Sequence, residues 1–184
     1  SLVGSEMCIR DRCVYYEDEF EEYCGLFAAT KEKSVIKNLN IVDSFFGGEY
    51  CSSVGSFVGY CEGRIENCYS SATLYGDDCA GIAAGARGSM YENGNHAYIE
   101  NCFFNGKIKG FFAKNIDAIT NKGHVGVIVK NNYYNENCGA DDTQSTAVTD
   151  AQIASGEVAH LLNGDQSVIN WYQNIDKGER DNLP

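Results

Sequence analysis

One short signature recurs four times along the chain: an aliphatic residue, a charged residue, then Asn. It reads Ile36-Lys37-Asn38, Ile65-Glu66-Asn67, Ile99-Glu100-Asn101 and Val129-Lys130-Asn131, so the Asn residues follow one another at intervals of 29, 34 and 30. A period of this size in a chain of 184 residues marks a repeat architecture, in which each unit buries its apolar face only by stacking on the next. Two further segments keep the same order in every copy. Before each signature comes a small-residue segment: Cys24-Gly25-Leu26-Phe27, Val54-Gly55-Ser56-Phe57, Ala80-Gly81-Ile82-Ala83 and Asp117-Ala118-Ile119-Thr120. After it comes Ser44-Phe45-Phe46-Gly47-Gly48, Ala72-Thr73-Leu74-Tyr75-Gly76, Gly106-Lys107-Ile108-Lys109-Gly110 and a degenerate copy near Tyr134. The stretch from Gly88 to Ala97 is an insertion rich in Gly and Asn, which predicts a loop bulging from one rung.

Three short strands per repeat, separated by Gly-rich or polar corners, predict an all-β fold. The expected architecture is a parallel β-helix-like solenoid of about four three-strand rungs with a short C-terminal helical cap. Twenty Gly against one Pro suit many tight corners. In-register parallel strands place like residues about 4.8 Å apart, so Asn38, Asn67, Asn101 and Asn131 are expected to form a structural ladder through their amides. Asn also tolerates the left-handed backbone of a sharp corner. The next position reads Leu39, Cys68, Cys102, Asn132, which puts Cys68 and Cys102 in one inward column as small buried hydrophobes. Stacked strands seldom supply the torsion a disulfide between them would need. Nine Cys leave one over from any complete pairing. With no CxxC and three scattered His (96, 124, 160), a metal site is not expected.

The repeats resemble the GLUG-type repeats of bacterial cell-surface proteins, which pair a G-[LI]-x-G strand with an [IV]-x-N-C-Y strand. The best matches run from Val58-Gly59 to Tyr69 and from Gly81-Ile82-Ala83-Ala84-Gly85 to Phe103, within a region of about residues 24 to 138. The first copy has Leu39-Asn40 in place of Cys-Tyr, and the last has Ala118 in place of Gly, departures that suit terminal rungs. The resemblance implies a β-helix-like solenoid in secreted or wall-anchored proteins and no catalytic activity.

Residues 1–12, SLVGSEMCIRDR, resemble a translated sequencing-adapter read and are expected to be a non-native leader outside the fold. Residues 13–139 form the repeat domain and 140–184 the cap helix and tail. Thr149-Asp150-Ala151-Gln152 reads as a capping box. Ala154, Val158, Leu161 and Leu162 then fall on one helical face, predicting a helix over 149–163 laid on the open end of the solenoid, with Trp171 nearby. Gly156 allows a break into two short helices. The tail, Ser155 to Gly164 with Trp171-Tyr172-Gln173, is similar to one that follows such repeats in surface proteins of gut bacteria. The sequence stops abruptly, as a piece of a longer protein would.

A net charge of −12 argues against nucleic acid or anionic lipid as partner, and no run approaches the roughly 18 apolar residues of a membrane span. The acidic run from Glu17 to Glu22 and the pairs Asp77-Asp78 and Asp141-Asp142 read as solvated turns rather than Ca²⁺ loops. Glu66 and Glu100 should share an outward column between Lys37 and Lys130. As a carboxylate pair they are the one feature compatible with a β-helix enzyme acting on polysaccharide, a lyase or glycoside hydrolase. The reading carried forward is a non-enzymatic, extracellular or cell-surface repeat module: a spacer or adhesive segment, monomeric within a longer chain. It needs no cofactor, and its ligand would be a host or bacterial glycan or protein.

Overall fold

The computed structural model describes residues 2–10, 13–15, 23–48, 51–88, 96–121 and 125–173. In chain order the strands are β1 (Leu2–Arg10), β2 (Cys13–Tyr15), β3 (Tyr23–Cys24), β4 (Phe27–Thr30), β5 (Val35–Val42), β6 (Phe45–Gly47), β7 (Ser53–Gly55), β8 (Val58–Cys61), β9 (Arg64–Glu66), β10 (Tyr69–Ser70), β11 (Thr73–Ala80), β12 (Ala83–Ala86), β13 (Ala97–Glu100), β14 (Phe103–Phe104), β15 (Lys107–Asp117), β16 (Val127–Lys130), β17 (Tyr133–Asn135) and β18 (Thr146–Val148). Helices α1 (Asp150–Ala154) and α2 (Glu157–Asn163) follow.

Stacked parallel strands build three sheets, and the whole is a parallel β-solenoid of about three turns. The fourth rung is partial: among the described residues it contributes to the β4-β8-β12 stack a single bridge, Ala83 to Thr120. The signature stacks as its spacing requires, with Ile36, Ile65, Ile99 and Val129 in one column and Lys37, Glu66, Glu100 and Lys130 in the next. The post-signature segments also stack in register, Phe46 on Leu74 on Ile108. Alternate residues point inward and make one core, in which Leu39, Ile65, Cys68, Leu74, Ile99, Cys102 and Phe104 are buried.

Two details of the expected register change. Cys79, not Ala80, lies over Val54, with Cys24 on the other side of Val54. Copies two and three carry four steps from that column to Val58 and Ala83, where the first copy takes three to Phe27. Tyr134 does not begin a fourth post-signature strand but stacks on Phe104. The small second residues are required where rungs approach closely: a Cβ on Gly81 would sit 2.2 Å from the Ala118 carbonyl oxygen, and one on Gly25 would sit 2.6 Å from that of Gly55.

The leader was expected to lie outside the fold, yet its backbone forms β1, parallel to β5. Its pairing slips between Val3 and Met7, opposite the Asn38 corner. The physical reason is the edge itself. The first rung presents unpaired N–H and C=O groups, and an extended chain can satisfy them whatever its origin. The segment has no Asn to turn the corner and spends three residues against one there. The acidic run at 17–22 and most of the 88–97 insertion lie outside the described residues.

The C-terminal helices cover a different surface from the one expected. The capping box is formed: Gln152 N–H donates to Thr149 Oγ1 at 3.2 Å, and Gln152 Oε1 accepts from Thr149 N–H at 3.0 Å. Gly156, at φ 82°, breaks the run into two helices. That break rotates the apolar face, so Ile153, Val158, Ala159 and Leu162 are buried while Ala154 and Leu161 stay half-exposed. This face packs on the outer wall of the solenoid. There Tyr69, Phe103 and Tyr133 stack on successive rungs and join Val42, Val148 and Trp171 in a second apolar cluster. The outward aromatics of the Cys-Tyr and Cys-Phe steps are thus buried from outside. At the C-terminal edge, β18 pairs with β17 and continues the sheet.

Candidate functional site

Four Asn residues turn the same corner. Asn38, Asn67, Asn101 and Asn131 have φ of 54°, 50°, 54° and 52°, the left-handed region that Asn adopts more readily than other side chains. The expected amide ladder forms between two of them: Asn131 Nδ2 donates to Asn101 Oδ1 at 2.8 Å and to the Leu162 carbonyl at 3.0 Å. Among the described residues, Asn38 Oδ1 and Asn67 Oδ1 are buried and accept no hydrogen bond. Backbone conformation is therefore what the four positions share. A second ladder lies one corner on, where Asn135 Nδ2 donates to Asn105 Oδ1 and to Asp150 Oδ1, each at 2.8 Å. Sequence reasoning missed it because Asn105 and Asn135 recur only twice.

Cys68 and Cys102 are fully buried on adjacent rungs, as expected of core thiols. Their sulfurs donate back to the Glu66 and Glu100 carbonyls at 3.2 and 3.3 Å. Burial, followed by the neighbouring Cys68, pushes the Cys102 thiol well above its ordinary value. Asn132 ends this column: its Oδ1 accepts from Cys102 N–H at 2.8 Å and its Nδ2 donates to the Ile99 carbonyl at 2.7 Å. Asp142 does similar work nearby, accepting from Ile119 N–H at 3.1 Å and Gln144 N–H at 2.7 Å. Asp78 accepts from Asn115 Nδ2 at 3.1 Å. Among the described residues, no group of three or more His, Cys, Asp or Glu is disposed to hold a metal.

The outward faces of β5, β9, β13 and β16 carry the concentration of charge. Arg64, two residues before Glu66 and therefore on the same face, was not singled out by the sequence reading. Its guanidinium contacts Glu66 and reaches Glu100 at 3.1 Å. It also lies 4.0 Å from the centroid of the Tyr98 ring, its cross-rung neighbour. The bond to Glu66 raises the Arg64 pKa above its ordinary value. Among the described residues, Lys37 and Lys130 make no ion pair, so the central like pair is offset by Arg64 and not by the lysines at the column ends.

Shallow hollows run beside this ladder. One, of about 330 Å³, lies around Arg64, Tyr98 and His96. Two more, of about 400 and 340 Å³, lie between the ladder and the segment after α2. Lys37, Glu66, Glu100 and Lys130 line one side of these two hollows, and Gln166 lines the other side of both. Gln166 is itself held, donating to the Leu162 carbonyl at 2.9 Å and accepting from Asn170 Nδ2 at 2.6 Å. Amides, ammonium groups and carboxylates at these spacings can hydrogen-bond a polar, hydroxyl-rich ligand along several rungs.

Fold and face together define a β-solenoid repeat protein with a polar, rung-spanning groove. The family comparison agrees: the model described as the GLUG motif matches residues 50–75, and the chain carries a GLUG-type repeat region. The match includes Ile65-Glu66-Asn67-Cys68-Tyr69. A crystal structure from Bacteroides ovatus, provisionally assigned as an immunoglobulin A1 protease, is similar in fold, with a TM-score of 0.50 and 13% identity. The similarity covers 87% of this chain and 70% of that one. No curated protein matches the sequence. Among the described residues, no helix is long and apolar enough to cross a membrane.

Proposed function

We propose that this chain is a non-enzymatic, extracellular solenoid module: a spacer or adhesive segment of a larger bacterial surface protein, binding a glycan or polar protein ligand along its charged face. The GLUG match and the solenoid fold support the extracellular setting. The observation that carries the binding reading is the engagement of Glu66 and Glu100 by one guanidinium, beside amides and lysines that make no ion pair among the described residues, in a shallow groove. A carboxylate pair that cleaves polysaccharide needs one group to give a proton and the other to take one or attack, around a substrate held in a cleft. Here both carboxylates are held by the one guanidinium of Arg64, which offsets part of their charge and occupies the space between them, whereas Lys37 and Lys130 face outward for recognition.

The second reading, a β-helix enzyme acting on polysaccharide, draws on the in-register placement of those same carboxylates on adjacent rungs. One experiment separates the two. The protein is passed over immobilised host and bacterial glycans, and the same glycans in solution are assayed for new reducing ends and unsaturated uronates. Retention that weakens in Lys37→Ala/Lys130→Ala, without product, is the expected result. Product formation that disappears in Glu100→Gln would establish the enzyme and refute the module.

A further inference from the structure

We infer that Cys24 and Cys51 form a disulfide that ties the first rung to the second. Their sulfurs stand 2.7 Å apart, nearer to the ~2.05 Å of an S–S bond than two unbonded thiols settle. Both residues are buried. Cys24 ends β3 and is paired with Val54 of β7; Cys51 lies in the connection from β6 to β7. Cys51 is fixed on both sides, its N–H donating to the Gly48 carbonyl and its own carbonyl accepting from Asp77 N–H, each at 3.3 Å. The fold therefore delivers the two sulfurs to each other from a strand end and from the β6–β7 connection, each held by backbone hydrogen bonds.

The neighbouring thiol makes the pairing selective. Cys79 lies in the Cys24 column beyond Val54. In the reduced chain burial, followed by Asp78, Cys51 and Asp77, pushes its pKa up to about 12; burial and the two carboxylates keep it raised once Cys51 is in a disulfide and carries no charge. A thiol that stays protonated does not attack a disulfide, so Cys79 would leave a Cys24–Cys51 bond intact. The oxidant is a dithiol–disulfide exchanger, small-molecule or protein, of the kind found outside the cytoplasm. One cysteine, as thiolate, attacks the exchanger's S–S bond, forming a mixed disulfide and releasing one exchanger sulfur. The second cysteine then displaces the other. Two protons and two electrons leave the pair, and the exchanger is reduced to two thiols. This inference stands on the Cys24–Cys51 geometry and does not depend on the binding reading.

The test is to refold the full chain in a glutathione redox buffer, block free thiols under denaturing conditions, and map tryptic peptides by fragmentation mass spectrometry. A Cys24–Cys51 cross-link is expected, with Cys79 alkylated. Thermal unfolding with and without dithiothreitol gives a second measure. Opening a loop of this size should lower the midpoint by about 10 °C. Cys24→Ser and Cys51→Ser should each abolish that reductant sensitivity, and Cys79→Ser should keep it. Should either Ser variant fail to fold, the wild-type peptide map alone decides. Nine alkylated thiols after oxidative refolding, or Cys24 joined to any other cysteine, overturns the inference.

Discussion

Replacing the corner asparagines separates two roles that stacking confounds. Asn101 and Asn67 share a left-handed backbone, but only Asn101 takes part in the side-chain ladder, accepting from Asn131. Alanine at either site keeps a Cβ in the left-handed region, where the cost is about 1–2 kcal/mol and Asn is among the residues that bear it best. We take about 1 kcal/mol for that difference. Asn101→Ala also orphans the Asn131 amide from one acceptor, adding about 1 kcal/mol, for a total near 2. Glycine removes the strain but loosens the unfolded chain by about 0.4–1 kcal/mol. Asn67→Gly should therefore fall near zero, helped by removal of a buried oxygen that accepts nothing. Asn101→Gly should cost about 1 kcal/mol, the lost hydrogen bond. The expected order of destabilisation is Asn101→Ala, then Asn67→Ala and Asn101→Gly together, then Asn67→Gly. Urea unfolding followed by circular dichroism resolves these steps, since about 2 kcal/mol moves the midpoint by about 1 M at a slope near 2 kcal/mol/M. If glycine costs as much as alanine at both sites, backbone conformation is not what these positions are for, and the corner argument fails.

Leu162→Asp should destabilise by about 4 kcal/mol and cause self-association in light scattering, because it buries a charge against the Phe103 wall. Leu161→Asp should be nearly silent, and equal effects would mean that the Gly156 break is misplaced. Arg64→Ala should cost about 1–2 kcal/mol through a freed like-charge pair and a lost ring contact, part of it recovered by adding Glu66→Gln; no recovery would remove Arg64 as the link between the two carboxylates. Stability should also fall in alkali. Cys79 is held near 12 in the folded chain against an ordinary 9.0, so above about pH 9 only the unfolded state releases that proton. The loss runs to about 1.4 kcal/mol per pH unit as pH rises toward the folded value. Urea midpoints across that range should decline in the parent and decline less steeply in Cys79→Ala, where the buried Cys102 thiol still contributes, and a parent midpoint independent of pH would argue that the thiols are not buried.

The stacked columns were legible from the sequence because a parallel solenoid puts each repeat position over its own copies. Ile36 to Val129 and Lys37 to Lys130 could be paired by counting alone. The charged face was half legible: counting placed the Glu pair, but Arg64 lies outside the signature and meets Glu100 only across a rung. Its signal was available in the period-two step from Arg64 to Glu66. What counting could not give was the destination of the C-terminal helices. Tyr69 and Phe103 looked like parts of a repeat strand, and nothing local says that their rings point outward and need a cover. Nor did periodicity choose Leu162 over Leu161, because a positive φ at Gly156 rotates every residue after it. The pairing of β1 was hidden for a different reason: an open sheet edge selects for extended backbone, not for a sequence.

The apolar wall beneath α1 and α2 changes how the stack should come apart. In a bare solenoid each rung touches only its neighbours, and end rungs can fray while the middle holds. Here one cluster runs from Val42 through Tyr69 and Phe103 to Val148, Leu162 and Trp171, so the tail lies across the stack like a splint along a row of vertebrae. Peeling a rung from either end disturbs a surface shared by all. Under a pulling force, such a chain would hold its length and then give way as one unit, where an unsplinted stack would lengthen rung by rung.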